Sequence, residues 1–450
     1  MNQNKTILWI CSLLFLGMIL FSIIDIFLYK TPFSSINILS SIFVKKEPKV
    51  AIPKSVKIKK PVFEQYTEAH RLIKFADSQT VALPKFQAKL FDIKKGKRRK
   101  IRIAWFGDSM IEADLITQTI RKVLQEFAEQ QHGVGFVPIQ SVSSGMRITA
   151  RTKTEGFWEK KSFENTKNEV FLSGNVFTSQ YAHFYSNDNT LGDSVQVLEK
   201  WLLCGDTDSS LKLKINKKDI QLKKKGKNFE AVLLDKSTKK NIDIAWNQKQ
   251  SNVYGVSIEP EYGIVLDNYS YRGITGVELN KVDAKLLQDM AESQYYDLIV
   301  FQYGVNMLFR PKDKNYDYYQ QIMQPVLEKY KNNLPNTEFL IISCADRAFR
   351  YNNEWKTAIG IDSLVKLQAN LAFKNNMVFY NLYQSIGGNG TIVKWAKSTP
   401  KWANKDYIHP NHLGAEAIGK WIAEAFLKDY KLFEKEENKR LELLKLQKEE

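Results

Sequence analysis

The stretch IRIAWFGDSM, residues 101–110, decides the fold that we predict for this chain of 450 residues. Its first six residues are mostly apolar and favour β-structure, and a helical pattern follows from Ile111 to about Gln131. A strand that turns tightly into a helix is the repeating unit of an open α/β sheet, in which ligands bind at the carboxyl ends of the strands. We therefore expect Ser109 at such an edge, beside the positive end of a helix. The tripeptide Gly-Asp-Ser recurs at 192–194 without a preceding strand or a following helix, and we interpret this copy as a loop.

A second run of this kind, DLIVFQY at 297–303, leads into Gly304-Val305-Asn306. The side-chain amide of Asn306 would point into the same crevice as Ser109, although an isolated Asn at such a position more often caps the next segment. Between these strands, the sequence YRGITG places Gly273 and Gly276 in a turn, where backbone N–H groups can approach a ligand closely.

Near the C-terminus, Asp406 and His409 are separated by two residues and precede a predicted helix. One short segment can thus present a base together with the carboxylate that orients it and stabilises its imidazolium form. An ordinary surface histidine is the alternative when this segment is taken alone. Pro410 disfavours helical geometry at His409, so we expect a loop here.

The order Ser, Gly, Asn and Asp-x-x-His along the chain resembles that of the SGNH (GDSL-type) hydrolase family. The resemblance implies that Ser109 is the nucleophile, that His409 is the general base and acid, and that Asp406 orients the histidine. The residue types fit this chemistry, because a serine hydroxyl needs an adjacent base to act as a nucleophile near neutral pH.

The resemblance also implies an oxyanion hole made of the backbone N–H groups of Ser109 and Gly276 and the side-chain amide of Asn306. Gly273 competes with Gly276 for the glycine position. The residues expected to support the site are Asp108, Gly273 and Gly304. Chemistry of this kind requires no metal and no organic cofactor, and we predict neither.

The predicted fold class is α/β, with a doubly wound parallel sheet of the flavodoxin-like SGNH hydrolase type, an inserted β-sandwich domain and an N-terminal transmembrane helix. An insertion is expected because Ser109 and Gly276 are 167 residues apart, and because 150–262 contains short runs that alternate apolar and polar residues. The predicted segments are a membrane anchor at 1–30, a basic linker at 31–66, the core at 67–149, the insertion at 150–262, the core again at 263–428 and a charged helical tail at 429–450.

The N-terminal segment contains eighteen consecutive uncharged residues, 7–24, which is long enough to cross a bilayer. A cleaved signal peptide is the alternative, but such an apolar core is usually shorter and no cleavage-site pattern follows. We therefore expect an uncleaved anchor. The basic residues on its two sides do not settle its orientation.

The net charge of +17 comes from three basic segments. Residues 45–60 hold seven Lys and one Glu, residues 94–102 hold seven Lys or Arg and no acid, and residues 211–240 hold eleven Lys and three acids, so that the remaining residues are net negative. The segments can contact an anionic envelope polymer or lipid, although solvated spacers and edge strands are at least as common. No recognition motif supports binding to nucleic acid, and the three cysteines and five histidines show no zinc-binding spacing.

An SGNH core interrupted by a β-domain resembles the membrane-anchored peptidoglycan O-acetylesterases of the periplasm, in which the insertion is similar to a carbohydrate-binding module. Four further motifs carry this narrower resemblance: GVGFV at 133–137, Asp346-Arg347, GGNG at 387–390 and NKDY at 404–407. It implies a serine esterase at the inner membrane that faces the periplasm and removes O-acetyl groups from a cell-envelope polysaccharide, foremost peptidoglycan. The alternatives are an O-acetyltransferase, an esterase for exopolysaccharide or lipid, and a non-catalytic protein that binds an envelope polymer.

Overall fold

The computed structural model describes residues 67–449, apart from 75–79, 98, 130, 168–169, 206–209, 224–225, 248 and 294, together with Trp9, Ser12 and Leu16. The predicted anchor and linker therefore lie, apart from those three residues, outside the described part of the chain. None of the helices within the described ranges is long and apolar enough to span a bilayer.

The described chain contains sixteen strands and eight α-helices. In chain order the strands are β1 Lys100–Gly107, β2 Gly135–Pro138, β3 Ala150–Ser162, β4 Asn175–Asp188, β5 Leu198–Cys204, β6 Ser210–Ile215, β7 Lys218–Lys223, β8 Glu230–Ser237, β9 Asn241–Trp246, β10 Gln250–Pro260, β11 Gly263–Ser270, β12 Leu298–Gln302, β13 Glu338–Ile342, β14 Ala348–Tyr351, β15 Glu354–Thr357 and β16 Val378–Tyr380. The helices are α1 Pro84–Lys94, α2 Thr117–Phe127, α3 Ala284–Glu292, α4 Asp317–Asn333, α5 Ile361–Lys374, α6 Leu382–Ser385, α7 Thr391–Lys397 and α8 His412–Glu449.

The core is a parallel sheet of five strands in the order β11, β1, β12, β13, β16. From β1 the chain moves to β11 on one side and then crosses to β12 on the other. Such a reversal of strand order opens a crevice at the carboxyl ends of the strands. The parallel sheet predicted from the sequence is confirmed, and its crevice lies where Gly-Asp-Ser follows β1.

The helices pack on this sheet in two groups. Helices α1 and α2 both contact α8, with α1 also against β1 and α2 against β11, whereas α3, α4 and α5 pack together and α5 contacts β13 and β16. Such helix packing on a parallel sheet is typical of an α/β fold. The helix predicted from Ile111 starts later than expected, because Glu112 is extended and Ala113 is left-handed, so a 3₁₀ turn at Ser109–Asp114 precedes α2.

The predicted charged tail is the continuation of α8. Asp429 accepts hydrogen bonds from the backbone N–H groups of Ala82 and Leu83, and Tyr430 is buried in the core. These contacts hold the first part of the predicted tail against the segment that begins α1.

The insertion forms one hydrogen-bonded sheet of nine strands, where two packed sheets of a β-sandwich were expected. Along the sheet the order is β7, β6, β9, β4, β10, β5, β8, with β2 added to β10 and β3 added to β4. The long strands β4 and β10 each pair with three partners at different points along their length. The sheet can therefore curl around its own apolar cluster, which includes Phe177, Phe184 and Trp246. Strand β2, predicted to belong to the α/β core, joins this sheet.

Two residues at the end of the basic segment 94–102 form largely buried ion pairs. Lys100 contacts Glu199 and Glu259, and Arg102 forms two hydrogen bonds of 2.6 and 2.7 Å to the fully buried Glu259. These charges join β1 to the insertion, so they are not available as a surface for an anionic polymer.

Candidate active site

Ser109, His409 and Asp406 form a continuous chain of hydrogen bonds. Ser109 Oγ lies 2.7 Å from His409 Nε2, and His409 Nδ1 lies 2.7 Å from Asp406 Oδ2. A base within hydrogen-bonding reach of a hydroxyl, and itself oriented by a carboxylate, is the arrangement that activates a serine nucleophile. The structure thus brings together three residues that are up to 300 positions apart in the sequence.

The end of β1 and the turn that follows it position Ser109. The preceding Asp108 is buried, and its Oδ1 accepts a hydrogen bond of 2.9 Å from the N–H of Met110. Burial raises the pKa of this carboxyl to about 7, although the backbone N–H of Met110 favours its charged form. Asp108 therefore supports the turn that carries Ser109.

The segment that carries Asp406 and His409 is held against β14 and β15 through Tyr407. Tyr407 accepts a hydrogen bond from the N–H of Ala348, and its ring stacks on Trp355 with ring centres 4.2 Å apart. Burial alone would raise the pKa of Asp406, but hydrogen bonds from the side chain of His409 and from the N–H groups of Ile408 and His409 hold it below its usual value. The carboxylate is therefore kept charged to orient the imidazole.

Asn306 lies on the wall of the same cavity as Ser109. Its side-chain amide donates a hydrogen bond of 2.9 Å to the carbonyl of Ile274. An amide nitrogen carries two hydrogens, so the second N–H can serve an oxyanion. Gly304, two residues earlier, has a φ of 138°, and a Cβ there would lie 2.5 Å from Cβ of Cys344. Only glycine fits this close approach, which sets the direction of the loop that carries Asn306.

The two candidate oxyanion glycines occupy different places. Gly273 lies on the wall of the catalytic cavity, whereas Gly276 starts the next 3₁₀ turn with a φ of 94°, against the ring of Tyr303. The backbone between them includes Ile274, whose carbonyl is bound by Asn306. Both glycines therefore belong to one loop that Asn306 fixes, and the assignment of the donor N–H to Gly276 stays a prediction.

Two acidic side chains of the turn after Ser109 pair with arginines that the sequence did not single out as functional. Glu112 accepts two hydrogen bonds, of 3.0 and 2.6 Å, from Arg272. Asp114 accepts two, of 2.6 and 2.8 Å, from the buried Arg121. Arg147 also contacts Asp114, at 3.5 Å.

These pairs fix the conformation of the catalytic turn. Burial opposes the charge of Asp114, yet the neighbouring Arg121 and Arg147 lower the pKa of this carboxyl to about 2. Arg147 lies just before the inserted strands, whereas Arg272 follows the core strand β11, so segments of both the insertion boundary and the core hold the turn that carries Ser109. Arg347, whose role the sequence left open, donates a hydrogen bond of 2.7 Å to the carbonyl of Val305, next to Asn306.

The catalytic cavity has a volume of about 580 Å³ and is open to solvent. Ser109, Glu112, Arg272, Asn306 and His409 are among its lining residues. Across the described ranges, no group of three or more His, Cys, Asp or Glu side chains is arranged to hold a metal ion. The chemistry available from the lining itself is nucleophilic attack on an ester, with the oxyanion stabilised by N–H donors.

Comparisons with known proteins bear on the fold. No family model matches the sequence, and a search of curated proteins found no similar sequence. A solved structure of a peptidoglycan O-acetylesterase superposes with a TM-score of 0.67 at 18% identity, covering 80% of this chain and 99% of that one.

Two further structures superpose less well. An acetyl xylan esterase has a TM-score of 0.28 at 18% identity and covers 36% of this chain and 81% of its own. A family two carbohydrate esterase from Cellvibrio japonicus has a TM-score of 0.27 at 12% identity and covers 63% of this chain and 99% of its own. Neither score is high enough to inform the fold. Because the first of the three structures covers 80% of this chain and 99% of its own with a TM-score of 0.67, the chain has the same fold as that esterase.

Proposed function

We propose that this protein is a serine esterase that removes O-acetyl groups from a cell-envelope glycan, with peptidoglycan as its substrate. The observation that carries the proposal is the hydrogen-bonded chain from Ser109 through His409 to Asp406, with both distances at 2.7 Å. The substrate is argued by analogy, because the structure that covers 80% of this chain is a peptidoglycan O-acetylesterase.

The reaction has two steps. Ser109 Oγ attacks the acetyl carbonyl while His409 Nε2 takes the hydroxyl proton, and the oxyanion accepts hydrogen bonds from the N–H of Ser109 and the amide of Asn306. The C–O bond to the sugar then breaks, and His409 returns its proton to the sugar oxygen. A water molecule attacks the acetyl-serine in the same way, which releases acetate and restores Ser109.

Acetate release from O-acetylated peptidoglycan tests this proposal. We expect release by the wild-type protein and a loss of at least a thousandfold in Ser109→Ala, because the nucleophile is removed. Ser293→Ala is the control, since Ser293 is an exposed residue at the end of α3 whose hydroxyl donates a hydrogen bond to the carbonyl of Met290, outside the catalytic cavity. Equal release by wild type and Ser109→Ala would refute the proposal. Acetylated sugar formed in place of acetate, when a second glycan is added, would show an acetyltransferase instead.

We propose further that residues 1–30 anchor the enzyme in the inner membrane, with the catalytic part in the periplasm. The support is the uncharged run at 7–24 and the basic, proline-containing linker after it. Full-length protein should stay in the membrane pellet after alkaline carbonate washing, while a chain of residues 62–450 should be soluble. Release of the full-length protein by the wash would refute the anchor.

A further inference from the structure

A second, larger depression adjoins the catalytic cavity. This groove has a volume of about 910 Å³ and lies between helices α2 and α8 and the loop at 190–194 that follows β4. His412, at the start of α8, lines both the cavity and the groove. The two spaces also share a wall, since Met146 lines the cavity and Ile148 lines the groove. An acetyl group alone would not need a space of this extent.

The wall of the groove is attached to the catalytic turn by hydrogen bonds. Asn189 of the insertion binds the main chain of Ile148 and Thr149, at 3.0 and 2.9 Å. Thr149 Oγ1 in turn donates a hydrogen bond of 2.7 Å to Asp114, in the turn that carries Ser109. This shared wall is therefore held in a fixed position relative to Ser109.

The chemistry of the groove suits uncharged sugars. Each of its lysines and acidic side chains has a partner of opposite charge in the groove, since Lys420 lies 2.6 Å from Glu416 and Lys122 lies 3.9 Å from Glu126. The buried Arg121 is paired with Asp114. The groove is also lined by uncharged polar side chains, such as Gln118 and His412, that can donate hydrogen bonds to, and accept them from, hydroxyl and amide groups of a ligand. From His412 to Lys420 the helix extends about 12 Å at 1.5 Å per residue, which is longer than one sugar ring.

We infer that this groove binds the glycan chain on one side of the acetylated sugar, so that the enzyme acts on a polymer of hydroxyl- and amide-bearing, uncharged sugar units. The insertion then has a part in substrate binding, because its loop at 190–194 forms one wall of the groove. This inference rests on the proposed esterase function for its biological meaning, but binding to the groove can be measured without turnover.

Glu416→Trp fills the groove from the exposed face of α8, and Glu424→Trp is the matched control, since Glu424 is exposed on the same helix outside the groove. Both are made in the Ser109→Ala protein, and cosedimentation with O-acetylated peptidoglycan is measured. We expect Glu416→Trp to weaken binding at least fivefold and Glu424→Trp to leave it unchanged. Equal binding by both variants, or an equal loss in both, would overturn the inference.

Catalysis gives an independent readout. For acetylated oligosaccharides of increasing length, kcat/KM relative to that for 4-nitrophenyl acetate should rise in the wild type and should stay flat in Glu416→Trp. If kcat/KM still rose with oligosaccharide length in Glu416→Trp, the inference that the groove binds glycan would be overturned, and the esterase proposal would stand. If the wild type released acetate from no glycan, the esterase proposal would be refuted. The cosedimentation assay would still test whether the groove binds glycan. Binding that falls steeply with added salt would show that charge, and not uncharged sugar, is recognised.

Discussion

The role of Asn306 gives the sharpest test of the proposed site. Its amide has two N–H groups, and the structure uses one of them to bind the carbonyl of Ile274 at 2.9 Å. The Asn306→Ala variant loses both donors. Loss of one oxyanion donor typically lowers kcat by 10² to 10³, or about 2.7 to 4 kcal/mol of transition-state stabilisation. Loss of the bond to Ile274 should lower the free energy of unfolding by about 1 kcal/mol.

The two effects can be measured separately. We expect kcat for 4-nitrophenyl acetate and for acetylated glycan to fall by a hundredfold or more, with a small decrease in Tm. Asn306→Asp, which keeps the shape but donates no hydrogen bond and adds a negative charge, should be at least as inactive. Asn332→Ala, an exposed position on α4, is the control and should change neither quantity. A kcat within threefold of wild type, together with a lower Tm, would refute the oxyanion role and leave Asn306 as a purely structural residue.

Three further outcomes follow from the geometry. Asp406→Asn should lower kcat by about 10⁴, as in other Ser-His-Asp triads, with little change in Tm; a loss below tenfold would contradict the triad. Asp108 has its pKa raised from 3.8 to about 7 by burial, so its contribution to stability is fully present below pH 3.8 and is lost as pH rises through 7. The Tm of wild type relative to Asp108→Asn should therefore fall between pH 5 and 8.5, and a constant difference would be inconsistent with a buried acid. Gly304→Ala should lower the free energy of unfolding by about 1 to 3 kcal/mol, because its φ of 138° is costly for alanine and its Cβ would meet Cys344; an unchanged denaturant midpoint would argue against that packing.

The sequence predicts those parts of the site that are local in the chain. The run at 101–106 is buried apart from the half-buried Arg102, as its apolar composition indicates for an inner strand of a parallel sheet. Asp406 and His409 are three positions apart, so their pairing can be predicted from a single segment. The second Gly-Asp-Ser, at 192–194, lies in a turn after β4, as predicted from the lack of a flanking strand and helix.

Contacts between distant segments could not be predicted in this way. Glu112 and Arg272 are 160 positions apart, and nothing in either segment identifies the other as its partner. The same limit explains the basic segment at 94–102: its sequence suggests a charged surface, yet Glu259, which neutralises two of its residues, lies at the far end of the insertion. The single curled sheet was also missed, because alternation along a strand shows which face is buried but not how many partners the strand has.

The pairing of the turn after Ser109 with arginines from three separate segments explains how the backbone of this turn can be so unusual. Ala113 and Asp114 are consecutive left-handed residues, with φ of 55° and 67°, and neither is glycine. Each such residue costs of order 1 to 3 kcal/mol and persists only where its surroundings enforce it. Here the enforcing contacts are the ion pairs of Glu112 with Arg272 and of Asp114 with Arg121 and Arg147. The three arginines come from three segments: Arg147 directly precedes the inserted strands, Arg121 lies on α2 and Arg272 follows the core strand β11. The turn that carries Ser109 is therefore held from the insertion boundary and from the α/β core together.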